Sequence, residues 1–250
     1  MTDAQRYELP AGAPLGFPNC PRCPYVVNGP VRVCTECAAE TITPVPERHC
    51  PVCSQALDSR GNCYNRLCSD PDRAIESVSA IAMFTDPLND QIRGFKRNTG
   101  LKRGIVFGRL VLGWLQQNIE PDDVDLIVAN PTYTGDETIG HTEMILHHAW
   151  NEDVAEDFPI PVWNNPYLVK TGATQKSKNS GRAEKFAAAR ALERVLALPH
   201  GPESVAGLRV IVFDDVLTSG AQLDAVARFL KSNGAASVRG LVLARVPWKY

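Results

Sequence analysis

The chain has 250 residues, of which 44% are hydrophobic and 22% are charged, and its formal net charge at pH 7 is −2. This composition is ordinary for a globular protein with a buried core, and it excludes disordered, collagen-like and coiled-coil chains. The near-neutral charge excludes a globally basic nucleic-acid binder. No apolar run reaches the roughly 20 residues that cross a bilayer, and the N-terminal residues lack a secretion signal. We therefore expect a cytoplasmic protein without a membrane partner.

The eight cysteines all lie in the first third of the chain, in four closely spaced pairs. The pairs are Cys20 with Cys23, Cys34 with Cys37, Cys50 with Cys53, and Cys63 with Cys68. Thiolates at this spacing suit tetrahedral zinc, and eight of them supply two four-thiolate sites without an open coordination position. Because the cytoplasm is reducing, we predict two structural Zn²⁺ sites rather than disulfides.

Two ways of dividing the cysteines between these sites are open. In the consecutive arrangement, one site takes the first four cysteines and the other takes the last four. In the interleaved arrangement, as in a cross-brace, the pairs alternate between the two sites. We favour the consecutive arrangement because each set then closes a compact ribbon within a short stretch of chain.

The character of the sequence changes after the cysteines. Ten of the nineteen prolines fall in the first 71 residues, so this segment is rich in loops and is expected to need metal in order to fold. We predict a flexible N-terminus over residues 1–19, a double zinc-ribbon module over 20–70, and an α/β domain over 77–250.

Strands and helices alternate along the predicted α/β domain. In chain order they are a strand over 77–84, helices over 87–99 and 101–117, a strand over 124–129, a helix over 137–150, a strand over 167–170, an alanine-rich helix over 181–198, a strand over 208–213, a helix over 219–232 and a strand over 237–246. This alternation predicts a mostly parallel sheet with helices on both faces.

The most informative stretch is VIVFDDVLTSG, residues 210–220. A buried strand runs into Asp214 and Asp215, and a short loop then opens a helix. Backbone N–H groups at a helix N-terminus suit a phosphate, and carboxylates at the end of a parallel strand can accept hydrogen bonds from sugar hydroxyls. The loop could therefore hold a ribose 5-phosphate. In the plainer alternative, Thr218 or Ser219 is only a helix cap and the aspartates are solvated.

This stretch resembles the phosphoribosyl-pyrophosphate (PRPP) motif of type I phosphoribosyltransferases. The order of cysteines, then Phe95-Lys96-Arg97, then this motif is similar to the ComF family of competence-associated proteins. The resemblance implies a type I phosphoribosyltransferase fold, which is Rossmann-like. It assigns Asp214 and Asp215 to the ribose hydroxyls, and the segment after them to the 5-phosphate. That segment consists of Val216, Leu217, Thr218, Ser219 and Gly220.

The sequence also departs from the ComF pattern, as a divergent member would. ComF proteins usually have one four-cysteine ribbon, whereas this chain has cysteines for two. At the loop where the fold binds pyrophosphate, this chain has Asn130, Pro131 and Thr132, which we assign to PRPP binding. The ComF signature that follows is reduced to residues 139–143, including His141, a candidate general acid or base.

Charge is unevenly distributed in a way that suits an anionic ligand. Residues 91–119 carry six basic side chains and no acid, and residues 170–182 are basic and polar. In the resembled fold, this second segment is a mobile hood over the pyrophosphate. We therefore assign Lys176 and Arg182 a catalytic role, the neutralisation of charge on the departing pyrophosphate.

The sequence thus predicts a glycosyltransferase that transfers the 5-phosphoribosyl group of Mg–PRPP to an unidentified nitrogen nucleophile and releases pyrophosphate. In the alternative, catalysis has lapsed, and the fold acts in DNA uptake or processing through a nucleic-acid or protein partner. A third reading is a regulatory protein that senses PRPP. The sequence identifies neither the nucleophile nor the oligomeric state, for which a homodimer is one alternative.

Overall fold

The computed structural model describes residues 35–97, 101–133, 139–174 and 191–248. Its central sheet has four parallel strands in the spatial order β1–β6–β5–β2, and β3 and β4 form a separate antiparallel pair. The strands are β1 Val78–Met83, β2 Leu126–Ala129, β3 Val169–Lys170, β4 Leu196–Ala197, β5 Arg209–Leu217 and β6 Ser237–Arg245. The helices are α1 Thr35–Thr41, α2 Arg66–Ser69, α3 Asp86–Arg97, α4 Leu101–Asn118, α5 His141–Glu152 and α6 Ala221–Ser232.

Both faces of the sheet are buried, as the apolar runs of its strands require. Along β5, Val210 and Val212 belong to one core cluster together with the apolar stripe of α6. Ile211 and Phe213 point the other way and belong to a second cluster with side chains of α3, α4 and α5. This confirms the predicted parallel sheet with helices on both faces.

Helix α5 packs closely on α4 because α4 presents glycines at the contact. A Cβ atom at Gly108 would lie 2.6 Å from Cβ of His148, and one at Gly104 would lie 2.5 Å from the imidazole of His148. Burial, and to a smaller extent the neighbouring His147, lowers the pKa of His148 to about 4. The imidazole is therefore neutral at pH 7, because burial disfavours its charged form.

The cysteine-bearing segment 50–68 is attached to the sheet by its backbone and by its core. The N–H of Val78 donates to the carbonyl of Val52 at 2.7 Å, and the hydroxyl of Ser54 donates to the carbonyl of Val78 at 2.9 Å. Cys53 and Leu67 are fully buried in the same cluster as the stripe of α6. The segment is therefore part of the core on the α6 face.

Two predicted element boundaries need correction. Strand β5 does not end at Phe213 but runs through the aspartates to Leu217, because it pairs with β6 over its whole length. The alanine-rich helix predicted over 181–198 is wrong at its end, since Leu196–Ala197 pairs with β3 as a strand. Residues 181–190 of that prediction lie outside the described residues.

Within the described ranges, no helix has the length and apolar character that crossing a membrane requires.

Candidate functional site

Polar side chains from two neighbouring strands meet at the carboxyl edge of the sheet. Asn130 directly follows β2, and its N–H donates to the carbonyl of Phe213 in β5 at 2.7 Å. Its side-chain Nδ2 donates to Oδ2 of Asp214 at 2.9 Å. The predicted pyrophosphate loop and the first predicted ribose carboxylate are therefore in direct contact, in the crevice where open parallel sheets bind ligands.

The two adjacent aspartates point to opposite faces because they lie within a strand. Asp215 faces α3 and α5, and its side chain is 6% exposed. Its Oδ2 lies 2.5 Å from Nζ of Lys96 at the end of α3 and 2.8 Å from Nε2 of His141 at the start of α5. Both nitrogens contact the same oxygen, which leaves Oδ1 of Asp215 without a hydrogen bond to the described residues.

The different surroundings separate the pKa values of the two carboxyl groups. Burial, followed by repulsion from Asp215, raises the pKa of Asp214 to about 7. Burial would also raise the pKa of Asp215, but the hydrogen bond from His141 and the charge of Lys96 outweigh it and lower that pKa. At neutral pH the negative charge is therefore on Asp215, while Asp214 holds a proton part of the time.

We predict that Asp214→Asn stabilises the protein at pH 8 but hardly changes it at pH 5. The folded protein binds the Asp214 proton more tightly than the unfolded chain, so ionisation of this group opposes folding as the pH rises from about 4 to about 7. Asparagine removes that cost and should raise the melting temperature at pH 8 by a few degrees, on the order of 1 kcal/mol.

Asp125→Asn is the matched control. Asp125 accepts hydrogen bonds from Arg209 at 2.8 and 2.9 Å, and this pairing lowers its pKa. Its replacement should lower the melting temperature at pH 8. Equal destabilisation by Asp214→Asn at both pH values would contradict the assigned protonation of Asp214.

The loop between β5 and α6 has the form of an anion cradle. Gly220 has a φ of 84°, in the left-handed region, and its carbonyl accepts the N–H of Asp224 at 2.9 Å as α6 begins. The N–H groups of Thr218, Ser219 and Gly220 make no hydrogen bond to other described residues. These donors, at the positive end of the α6 dipole, suit a phosphate group.

The reduced signature at residues 139–143 supports the neighbouring loop. The Glu143 carboxylate accepts the N–H of Thr132 at 2.9 Å, and the hydroxyl of Thr142 donates to the carbonyl of Asn130 at 2.9 Å. Residues of α5 thus hold both ends of the Asn130–Thr132 loop. The departure from the ComF pattern therefore leaves a structured loop beside the aspartates.

A second cluster, formed by Cys50, Cys53, Cys63 and Cys68, lies in the core on the α6 face of the sheet. All four Sγ atoms lie within 4.8 Å of one another, and individual separations are 3.6 Å (Cys50–Cys68), 3.7 Å (Cys53–Cys63) and 3.8 Å (Cys63–Cys68). The cysteines are free. A tetrahedral zinc ion with Zn–S bonds of about 2.3 Å requires S–S separations of about 3.8 Å, so the four thiols fit zinc closely.

The ionisation of these thiols agrees with a metal site. A hydrogen bond from Cys68 is the main cause that lowers the pKa of Cys53 to about 4. The same hydrogen bond, together with burial, raises the pKa of Cys68. Without metal the cluster thus holds at least one thiolate at neutral pH, and zinc would displace the remaining protons.

Residues 150–250 match a family model described as the phosphoribosyl transferase domain. No curated protein matches the chain. The matched segment contains β5, the Thr218–Gly220 loop, α6 and β6, and together with the parallel sheet it confirms the predicted α/β phosphoribosyltransferase fold class. Lys96, Asn130, His141 and the cysteines lie outside it. The closer resemblance to the ComF family stays a prediction.

The structure brings together most of the predicted site. The residues at one edge of the sheet are Asp214, Asp215, Thr218, Ser219, Gly220, Asn130, Pro131 and Thr132. Val216 and Leu217, predicted in the loop, belong to strand β5. Several predicted residues lie outside the described part of the chain, namely Lys176, Arg182, Cys20, Cys23, Cys34 and the side chain of Cys37.

Two contacts of the site could not be read from the sequence alone. Lys96 was recognisable within a short basic motif, but its partner Asp215 is more than one hundred residues away. Arg245, whose guanidinium reaches the carbonyls of Leu217 and Thr218, has no sequence signal because an arginine at the end of a strand is ordinarily exposed.

Proposed function

We propose that this protein transfers the 5-phosphoribosyl group of Mg–PRPP to a nitrogen nucleophile and releases pyrophosphate. The observation that carries the proposal is the continuous unit formed by Asp214, Asp215 and the Thr218–Gly220 loop. It offers carboxylates to a sugar and free N–H groups to a phosphate within seven residues of chain. The family match over residues 150–250 supports the same class of reaction.

In this proposal, the ribose lies between the aspartates and the loop. The free Oδ1 of Asp215 accepts a hydrogen bond from one ribose hydroxyl, while Lys96 and His141 hold Oδ2. Asp214, held by Asn130, binds the second hydroxyl. The 5-phosphate takes the N–H groups of Thr218–Gly220, and Mg²⁺ arrives as part of the substrate.

The reaction itself exchanges one bond at the anomeric carbon. The lone pair of the nitrogen nucleophile forms a bond to this carbon, and the bond to the pyrophosphate oxygen breaks, leaving its electron pair on the pyrophosphate. His141 takes up the proton that the nitrogen loses. Because Nε2 of His141 is bound to Asp215, its Nδ1 is left to accept that proton.

The departing pyrophosphate is placed beside the Asn130–Thr132 loop. Lys176 and Arg182 are proposed to neutralise its charge as the bond breaks, which is most effective in a site closed to water.

The four-cysteine cluster is proposed to hold a structural Zn²⁺ ion, and the first four cysteines a second one. Two reduced tetrathiolate centres agree with the proposed cytoplasmic location.

We predict that Lys96→Met weakens Mg–PRPP binding about tenfold, because loss of a hydrogen bond to a charged group costs roughly 1.5 kcal/mol. Without Lys96, burial raises the pKa of Asp215 and makes it a poorer acceptor for the ribose hydroxyl. Arg97→Met is the control. Arg97 is the next residue of α3, is exposed and donates to the carbonyl of Arg93. Calorimetric titration measures both variants, and equal losses would contradict the role of Lys96.

Turnover tests the proposed reaction. The zinc-loaded protein is incubated with Mg–PRPP and a panel of nitrogen nucleophiles that includes ammonia, and pyrophosphate release is measured, with Asp215→Asn alongside. We expect release with at least one nucleophile and none in the variant. PRPP binding without release would contradict an enzyme and favour a sensor. Binding of DNA that falls steeply with salt, without PRPP binding, would favour the lapsed module.

A further inference from the structure

Arg245 is a buried cation that joins the cysteine cluster to the loop proposed to bind the 5-phosphate. It is the last residue of β6 and is 0% exposed. Its Nη1 donates to the carbonyls of Leu217 at 2.9 Å and Thr218 at 2.5 Å. Its Nη2 lies 4.0 Å from Sγ of Cys53. None of the reaction steps proposed above uses this residue.

A guanidinium group in this position needs a negative charge nearby. Removing it from water is unfavourable unless a buried anion compensates its charge. The ion pairs among the described residues give Arg245 no carboxylate partner. Besides the Trp248 ring, whose centroid lies 5.4 Å from Cζ, the guanidinium faces Sγ of Cys53 at 4.0 Å, which is a thiolate when the cluster holds zinc. Zn²⁺ with four thiolates carries a net charge of −2, so a loaded cluster compensates Arg245 fully.

The same side chain sets the direction of the peptide groups in the loop. In a trans peptide the carbonyl and the following N–H point in opposite directions. Because Arg245 holds the carbonyls of Leu217 and Thr218, the N–H groups of Thr218 and Ser219 are turned away from the core. These are two of the donors that form the anion cradle. Arg245 therefore helps to orient the cradle, together with the N–H of Val246, which donates to the carbonyl of Leu217 at 3.0 Å.

The segment that carries the cysteine cluster also contacts the loop at a second point. Leu67 lies in α2 between two of the cysteine ligands and is fully buried. A Cβ atom at Gly220 would lie only 2.4 Å from Cδ2 of Leu67, so the two residues are in close contact. The loop is therefore held from one side by Arg245 and from the other by the segment that closes the metal site.

We infer that Arg245 is a positioning residue that couples metal binding at the cysteine cluster to ligand binding at the Thr218–Gly220 loop. Its charge stabilises the loaded metal–thiolate centre, and its hydrogen bonds orient the loop donors. The second half of this inference rests on the proposed function, whereas the first half concerns zinc alone. By linkage, a ligand on the loop must strengthen metal binding by the same factor as metal strengthens ligand binding.

The first test measures zinc affinity by competition with a chromophoric chelator. Changes around a metal site that leave its ligands intact typically cost 10- to 100-fold in affinity, so Arg245→Gln should weaken zinc at least tenfold. Arg245→Lys keeps the charge and should recover most of this loss. Arg239→Gln is the control, because Arg239 lies on the same strand and donates to the carbonyl of Asp123. Wild-type affinity in Arg245→Gln would overturn the inference.

The second test measures the coupling and does not depend on the folding of the glutamine variant. In the wild type, saturating ribose 5-phosphate should strengthen zinc binding about fivefold or more. Arg245→Lys should lose this effect while still binding zinc, because lysine cannot hold two carbonyls and face Cys53 at once. Ribose 5-phosphate that binds the wild type without strengthening zinc would overturn the coupling.

The two tests separate this inference from the proposed function. If calorimetry shows that ribose 5-phosphate does not bind the wild type, the proposed function is contradicted. The zinc affinities of the Arg245 and Arg239 variants then decide the role of Arg245 at the metal site. If Arg245→Gln does not fold, Arg245→Lys and the wild type decide it through the coupling.

Discussion

Gly220→Ala is expected to abolish binding of ribose 5-phosphate and to lower the free energy of unfolding by about 2 kcal/mol. The left-handed backbone at this position, with a φ of 84°, costs a residue with a Cβ atom roughly 1–2 kcal/mol. The new methyl group would also lie 2.4 Å from Cδ2 of Leu67, so the loop or the cysteine segment must shift. A shift of the loop moves the N–H donors away from the phosphate.

Gly207→Ala separates the two causes. Gly207 has a similar φ of 76°, but a Cβ atom there would meet nothing within 4 Å. This control should lose stability from the backbone alone and keep its ligand affinity. Chemical denaturation gives the stabilities and calorimetry the affinities. If Gly220→Ala binds ribose 5-phosphate as tightly as Gly207→Ala does, the phosphate does not occupy this loop.

The second large effect is expected from Cys53→Ser. This change should remove one equivalent of zinc and destabilise the whole domain by several kcal/mol, a large share of the roughly 5–15 kcal/mol of a typical domain. The reason is that Cys53 and Leu67 belong to the same core as Val78 of β1 and the apolar stripe of α6. Loss of metal should therefore destabilise the sheet as well as the cysteine-bearing segment.

Metal analysis by mass spectrometry and thermal unfolding measure these two effects. Ser59→Ala is the control, since Ser59 lies in the same segment, is exposed and is not a thiol. It should keep the wild-type zinc content and melting temperature. A Cys53→Ser protein that retains the full zinc content would show that the thiol of Cys53 is not a ligand.

The parts of the site that the sequence could predict are those whose geometry is local. Asp214, Asp215 and Gly220 lie within seven residues of one strand–loop–helix unit, so their arrangement follows from the chain itself. The grouping of the last four cysteines, Cys50 to Cys68, in one cluster could also be predicted, because these residues lie within a short stretch of chain. Asn130 could be placed beside the aspartates since parallel strands end at the same edge of the sheet.

The parts that could not be predicted depend on packing between distant elements. The pairing of Lys96 and His141 with one oxygen of Asp215 requires that α3 and α5 both lie on the same face of β5. In the sequence, nothing distinguishes Arg245 from other residues at strand ends. The reason for its burial is visible only in the structure, where the cysteine segment packs beside it. The helix predicted over 181–198 does not extend through Leu196–Ala197, because these residues pair with β3 despite their helical composition.

The aspartate pair and the following loop are proposed to bind PRPP. The most direct test is calorimetric titration of the zinc-loaded protein with Mg–PRPP, comparing the wild type with the double variant Asp214→Asn and Asp215→Asn. The control is Asp122→Asn with Asp123→Asn, an adjacent acidic pair on an exposed turn. We predict binding by the wild type and the control and none by the first variant. Equal binding by all three proteins, or by none of them, would show that the aspartate pair does not form a PRPP site.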